Sequence, residues 1–249
     1  AMGKGGTDVA REASDIVLED DNFATIVKAI EEGRVVFRNT QQTSFYLVTT
    51  NVAEAVTILA ALFLWLPLPL LPIHLLWMNL VTDGLTTSAL ATEPKHHGML
   101  LDPPRKQRER ILGKTVLPFL VLMITIMVIG TLFFFLRALP DGLDRARTIA
   151  FAFMGFAQLW NVWNMRSLKH SLLSIGIFAN RFVLLAFLAG ALVQIAIVEL
   201  PFSEQLFHFT SLGVRNWVLV IMASSLVLWL GEIYKRIKYR SILVPQPVA

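Results

Sequence analysis

The sequence predicts a mainly α-helical integral membrane protein built as a six-helix transmembrane bundle. Hydrophobic residues make up 55% of the 249-residue chain, and its mean hydropathy is +0.61. They gather in stretches of about 18 residues or more with hardly any charge, the length at which a helix spans a bilayer core. The few polar residues inside those stretches recur at helical spacing, which is the third sign.

Composition also excludes. Cysteine is absent, which removes disulfides, thiolate ligands and a cysteine nucleophile. The 22 basic residues against 18 acidic ones give a formal +4, a mild excess that fits cytoplasmic membrane flanks and does not point to nucleic acid. Residues 1–40 lack the apolar segment of a signal peptide. Because the chain opens in the middle of what reads as folded sequence, a piece of a longer protein is expected.

Residues 1–42 read as a polar segment outside the membrane. Gly3, Gly5 and Gly6 predict a loop, Thr7 caps a short helix through Ser14, and Asp15–Leu18 reads as a short strand. A further helix starts near Asn22, a good cap residue, and runs through Ile26, Ile30 and Val35 toward the membrane. These elements are too few to bury a core of their own.

The transmembrane region is expected over residues 43–240, with spans near 44–65, 71–91, 111–136, 148–166, 182–200 and 217–234, and a cytoplasmic tail at 241–249. Leu66-Pro67-Leu68-Pro69 is short enough only to reverse the chain, so the first two spans are antiparallel neighbours. Basic residues crowd the loops of one side, with Lys95, Arg105, Lys106, Arg108, Arg110, Arg166, Lys169, Arg181, Lys235, Arg236, Lys238 and Arg240. The other side holds Arg137, Arg145, Arg147 and Arg215. That asymmetry predicts both termini in the cytoplasm.

A carboxylate in the middle of a membrane helix costs about 2.5–3.5 kcal/mol on insertion scales and normally faces a partner or a pathway. Glu54 and Asp83 are in that position. Asn51 shares a helix face with Glu54, and Asn79 and Thr82 are spaced to accompany Asp83. Bringing the two faces together makes a cage of carboxylate, amide and hydroxyl oxygens, the donor set of a hard cation such as Ca2+. Gly84 weakens its helix and predicts unwound backbone whose carbonyls turn toward an ion. The competing reading of Asn51 and Thr82 is interhelical packing. Gln158, with Asn161 and Asn164 at three-residue spacing, is either a further oxygen donor or packing glue. His74, His96 and His97 are not spaced as a metal site. Glu199 and Glu232, near span ends, call for no special role. No hydrolase constellation or Walker-type loop is present.

The run GTDVAREASDIVLEDDNFATIVKAIEEGR resembles the end of the phosphorylation domain of P-type cation-transporting ATPases. NVAEAVTILAALFLWLPLPLLPIHLLWMNLVTDG resembles their fifth and sixth membrane helices, and LLDPPR follows as in the calcium-pump branch. The resemblance implies that residues 1–42 are the C-terminal remnant of an α/β (HAD-like) phosphorylation domain with its stalk helix. It also implies cation ligands at Asn51, Glu54, Asn79, Thr82, Asp83 and Gln158, with Ca2+ as the transported ion in a bacterial plasma membrane.

Two departures from the pattern shape the expectation. Gln158 stands where two-site calcium pumps carry Glu, which implies one Ca2+, or one Mn2+, per cycle. The chain also holds neither DKTGT nor TGDGxND. The phosphate-accepting aspartate, the nucleotide and actuator domains and the first four helices with their PEGL ligand segment are therefore expected elsewhere, and with them ATP and Mg2+. This chain is then the membrane half of an ATP-driven pump, without catalytic residues of its own. The alternatives are a non-enzymatic cation-binding subunit or half-transporter and a passive channel; within the family, Na+ or Mg2+ is the other cargo.

Overall fold

The computed structural model describes residues 1–95 and 116–239. His96, His97, the LLDPPR run, the start of the third expected span and the tail at 241–249 lie outside the described residues.

Thr7 begins the chain's first helix as its sequence demands, its hydroxyl accepting from the Ala10 amide at the start of α1 (Asp8–Glu12). Residues 15–18 make no strand. A single parallel bridge joins Leu18 to Met2, because no neighbouring sheet is present among the described residues to extend it. The helix start falls one residue beyond Asn22, at an N-cap Phe23 without a side-chain cap bond, and Asn22 closes a local turn instead, accepting the Ala24 amide at 2.9 Å. Beside it, hydrogen bonds from the Thr25 hydroxyl and the Asn22 amide hold the Asp20 carboxyl below the usual carboxylate range.

From there α2 (Ala24–Phe63) runs 40 residues without a break, about 60 Å at 1.5 Å per residue. The polar stretch and the first expected span are thus one rod. Trp65, in the left-handed region at φ 55°, follows its end, and the Pro67–Pro69 turn reverses the chain. The next pass is α3 (Pro72–Trp77), a π-helical turn over Met78–Thr82, and α4 (Asp83–Leu90). No unwinding occurs at Gly84. The irregularity lies one turn earlier, where the Asp83 amide reaches back to the Met78 carbonyl.

α5 (Leu117–Ala138) and α6 (Leu143–Met165) follow, joined by a 3-10 turn over Leu139–Asp141. A short α7 (Leu172–Ile175) leads into α8 (Arg181–Glu199), whose first turn is capped by the Asn180 side chain. α9 (Pro201–Phe207) precedes α10 (Gly213–Ser224) and α11 (Leu226–Lys238), one long pass interrupted only at Ser225.

Among the described residues, four helical stretches are long and apolar enough to cross a bilayer: Ala24–Phe63, Leu117–Asp141, Arg181–Glu199 and Gly213–Lys238. The Pro72–Leu90 pass and α6 fall outside that set. The first is broken by a π turn and keeps Leu76, Leu80 and Leu85 exposed; α6 is loaded with amides and buried within the bundle. Every residue from Thr148 to Leu159 of α6 is buried, with α5, α8, α10 and α11 packed around it. Among the described residues the architecture is a helical membrane bundle without strands.

Glycines let the helices close on α6. A Cβ at Gly130 of α5 would lie 2.2 Å from the Phe153 ring, and one at Gly231 of α11 would lie 2.4 Å from the Asn164 side chain. Gly33, on an exposed face of α2, has nothing within 4 Å of that position. Gly130→Ala should therefore lower the stability of the detergent-solubilised protein by about 1–3 kcal/mol through overpacking. Gly33→Ala should raise it by about 0.5–1 kcal/mol through helix propensity. Thermal unfolding monitored by circular dichroism checks both signs.

Candidate cation site

Three passes meet in the middle of the bundle around two carboxylates. Glu54 of α2 is 3% exposed and Asp83 of α4 is 2% exposed. Such groups persist in an apolar interior only where donors or cations meet them. Oε1 of Glu54 accepts from Gln158 Nε2 at 2.7 Å, and Oε2 accepts from Asn79 Nδ2 at 3.3 Å. Oδ2 of Asp83 accepts from the Thr50 hydroxyl at 3.0 Å, while its Oδ1 is buried without a hydrogen-bond partner. All three donors are neutral. No basic side chain among the described residues touches either carboxyl.

The same side chains can present oxygen instead. Turning the Gln158 amide by 180° exchanges its Nε2 donor for Oε1, which is buried and unpartnered. Thr50 keeps a lone pair when its proton turns away. Carboxylate, amide and hydroxyl oxygens at one depth form the hard donor set that Ca2+ takes. No cluster of three His, Cys, Asp or Glu groups occurs among the described residues, so any cation here would lean on amides and hydroxyls as well as the two carboxylates.

The six residues singled out from sequence do not all converge. Glu54, Asp83 and Gln158 are buried together, and Asn79 joins them by its bond to Glu54 while remaining exposed on its other side. Thr82 is buried in the π turn, its carbonyl accepting from the Thr86 hydroxyl at 2.8 Å. Asn51 stands apart. It is exposed, and its amide bonds back to the Leu47 carbonyl of its own helix. Asn164 acts as glue, donating to the Val227 carbonyl, whereas both polar atoms of the buried Asn161 lack partners.

Sequence reading passed over Thr50 and Tyr46. Thr50 is four residues before Glu54, on the same helix face, and that spacing was the available signal. The buried Tyr46 hydroxyl adjoins Asp83 without completing a hydrogen bond to it. Glu199 and Glu232, to which no role was given, are structural acceptors. Glu199 takes Ser211, the Leu212 amide and Trp217; Glu232 takes Ser171, the Leu172 amide and Lys235. Both ring nitrogens of His74 have protein partners: the residue is buried, one nitrogen accepting the Leu71 amide and the other meeting the Phe207 carbonyl at 2.8 Å.

Comparison with known proteins gives the chain's family. Residues 67–237 match the family model described as "Cation transporting ATPase, C-terminus". "Calcium-transporting ATPase 1" of Bacillus cereus is 36% identical over 96% of this chain and 29% of its own length. "Calcium-transporting ATPase" of Bacillus subtilis is 39% identical over 91% of the chain and 26% of its own. "Calcium-transporting ATPase type 2C member 1" of Bos taurus is 31% identical over 100% and 26%. The chain thus spans little more than a quarter of each of these relatives. A carboxylate-and-amide site in the middle of a membrane bundle and matches that run the length of the chain lead to one conclusion: it belongs to the P-type cation-transporting ATPases, as a C-terminal portion of the calcium-pump branch.

Proposed function

We propose that this chain is the transport half of an ATP-driven Ca2+ pump, six membrane passes carrying the cation on Asn51, Glu54, Asn79, Thr82, Asp83 and Gln158. The observation that carries the reading is the convergence of Glu54, Asp83 and Gln158 from three passes with only neutral donors between them. Residues 43–240 form the transport domain. Residues 1–42 are the end of a HAD-like phosphorylation domain and the stalk, and 241–249 a cytoplasmic tail. Both termini face the cytoplasm of a bacterial plasma membrane, in keeping with the loop charges.

ATP and Mg2+ act through a headpiece supplied by the remainder of a longer protein, together with four further helices. Its length is consistent with relatives of which this chain covers about a quarter. Headpiece motion enters the site through α2, since one unbroken helix runs from Ala24 through Glu54. The exposed Asn51 and Asn79 then face the helices that complete the cage. Transport needs the site to alternate between tight and weak binding, and a cage of neutral amides and two carboxylates changes affinity with small shifts of register.

An amide rather than a carboxylate at position 158 supports one Ca2+ per cycle. Equilibrium 45Ca2+ binding to the intact pump should saturate at one ion per phosphorylation site; two tightly bound ions would refute that count. In the intact pump, Asp83→Asn should abolish Ca2+-dependent phosphorylation by ATP and leave phosphorylation by inorganic phosphate in place. Glu54→Gln should act in the same direction but less severely. If Asp83→Asn still phosphorylates from ATP at micromolar Ca2+, Asp83 is not a ligand.

A further inference from the structure

At the end of the bundle opposite His74, one ion pair is sealed from solvent. The Arg166 and Glu93 side chains are both 0% exposed. The guanidinium Nε contacts both carboxylate oxygens at 3.0 and 3.1 Å, and Nη2 meets Oε1 at 2.9 Å. Nη1 is taken by the Gly176 and Ile177 carbonyls, and Asn180 Nδ2 completes Glu93 at 2.8 Å. The backbone around the pair is tied to α2 as well. Asn39 donates to the carbonyls of Ala91 and Glu93, and Gln42 donates to the carbonyl of Arg166.

Packing alone does not call for such a pair, because apolar residues of similar volume often stabilise a core as well or better. What a forked, bidentate contact adds is direction. The pair joins the ends of the passes that carry Asp83 and Gln158, and the Asn39 and Gln42 amides tie α2, which carries Glu54, to the backbone of the same two residues. Glu54 lies 12 residues along α2 from Gln42, Asp83 lies 10 residues before Glu93, and Gln158 lies 8 residues before Arg166. At 1.5 Å per residue these are lever arms of about 18, 15 and 12 Å. A slip of α6 by one turn at the pair would carry Gln158 about 5.4 Å from Glu54, well beyond hydrogen-bond or ligand distance.

We propose, resting on the cation-site reading above, that the Arg166–Glu93 pair is a positioning lock. It sets the axial register of the helices bearing Asp83 and Gln158 and does not touch the cation.

Either single neutralisation leaves a buried charge unpaired and risks unfolding the protein, so the test uses the double variant Arg166→Gln/Glu93→Gln beside Arg166→Lys. In the intact pump, the Ca2+ concentration for half-maximal phosphorylation by ATP should rise about 2- to 30-fold in the double variant. Phosphorylation by inorganic phosphate without Ca2+ should stay at the wild-type level. Arg166→Lys, which keeps the charge and loses the fork, should fall between the two. An unchanged Ca2+ requirement in the double variant overturns the lock. So does parallel loss of both phosphorylation reactions, or failure of both variants to reach the membrane, since the pair would then serve folding. A wild-type pump whose phosphorylation by ATP ignores Ca2+ overturns the cation-site reading itself, and the lock with it, before any substitution is made.

Discussion

The hydrogen bond from Gln158 to Glu54 joins two helices that have little other reason to present polar atoms to each other. An apolar bundle meets a buried carboxylate on severe terms: each oxygen must find a donor or a cation, or the helix bearing it leaves the bundle. Glu54 meets those terms with amides from two other passes. Asp83 meets them only in part, one oxygen on Thr50 and the other unpartnered. The passes cannot drift apart without stranding a buried carboxyl, so the site helps to specify the packing that forms it.

That constraint sorts the helices. α5 and α8 are apolar almost throughout and qualify as spans by composition alone. α6 carries three amides and is surrounded by the other helices, so its polar groups answer to protein rather than lipid. The pass from Pro72 to Leu90 accommodates Asn79, Thr82 and Asp83 by adopting a π turn, a distortion often found where function outweighs regularity. The glycine notches at Gly130 and Gly231 follow from the same need, because a central polar helix must be approached closely on every side.

The large features were legible in sequence for physical reasons. Apolar runs of membrane length identify spans regardless of tertiary context, and the insertion cost of Glu54 and Asp83 isolates them from every other acidic residue. Gln158 could be paired with them only provisionally, since an amide at helical spacing is equally apt to be glue, as Asn164 proves to be. The helix read as running from near Asn22 toward the membrane is continuous with the first span, as Ala24–Phe63. Two features were out of reach. The π turn depends on hydrogen bonds that no propensity encodes. Glu93 sits in a loop and Arg166 at a helix end, where each reads as an ordinary flanking charge; only the fold brings them together, 73 positions apart.

The bundle is fastened unequally along its length. One end has the sealed Arg166–Glu93 pair with Asn39, Gln42 and Asn180. The other has His74 on the Phe207 carbonyl, stacked among Phe207 and Phe209, and Arg147 on the Leu68 carbonyl. Between them lies the site, where the Asn79 contact is long at 3.3 Å and polar atoms of Asp83, Gln158 and Asn161 lack partners. Fixed ends and an under-satisfied middle suit the proposed binding site of changing affinity. Strong contacts there would hold one geometry whether or not a cation were bound, whereas weak ones leave the oxygens of Asp83 and Gln158 free to change partners.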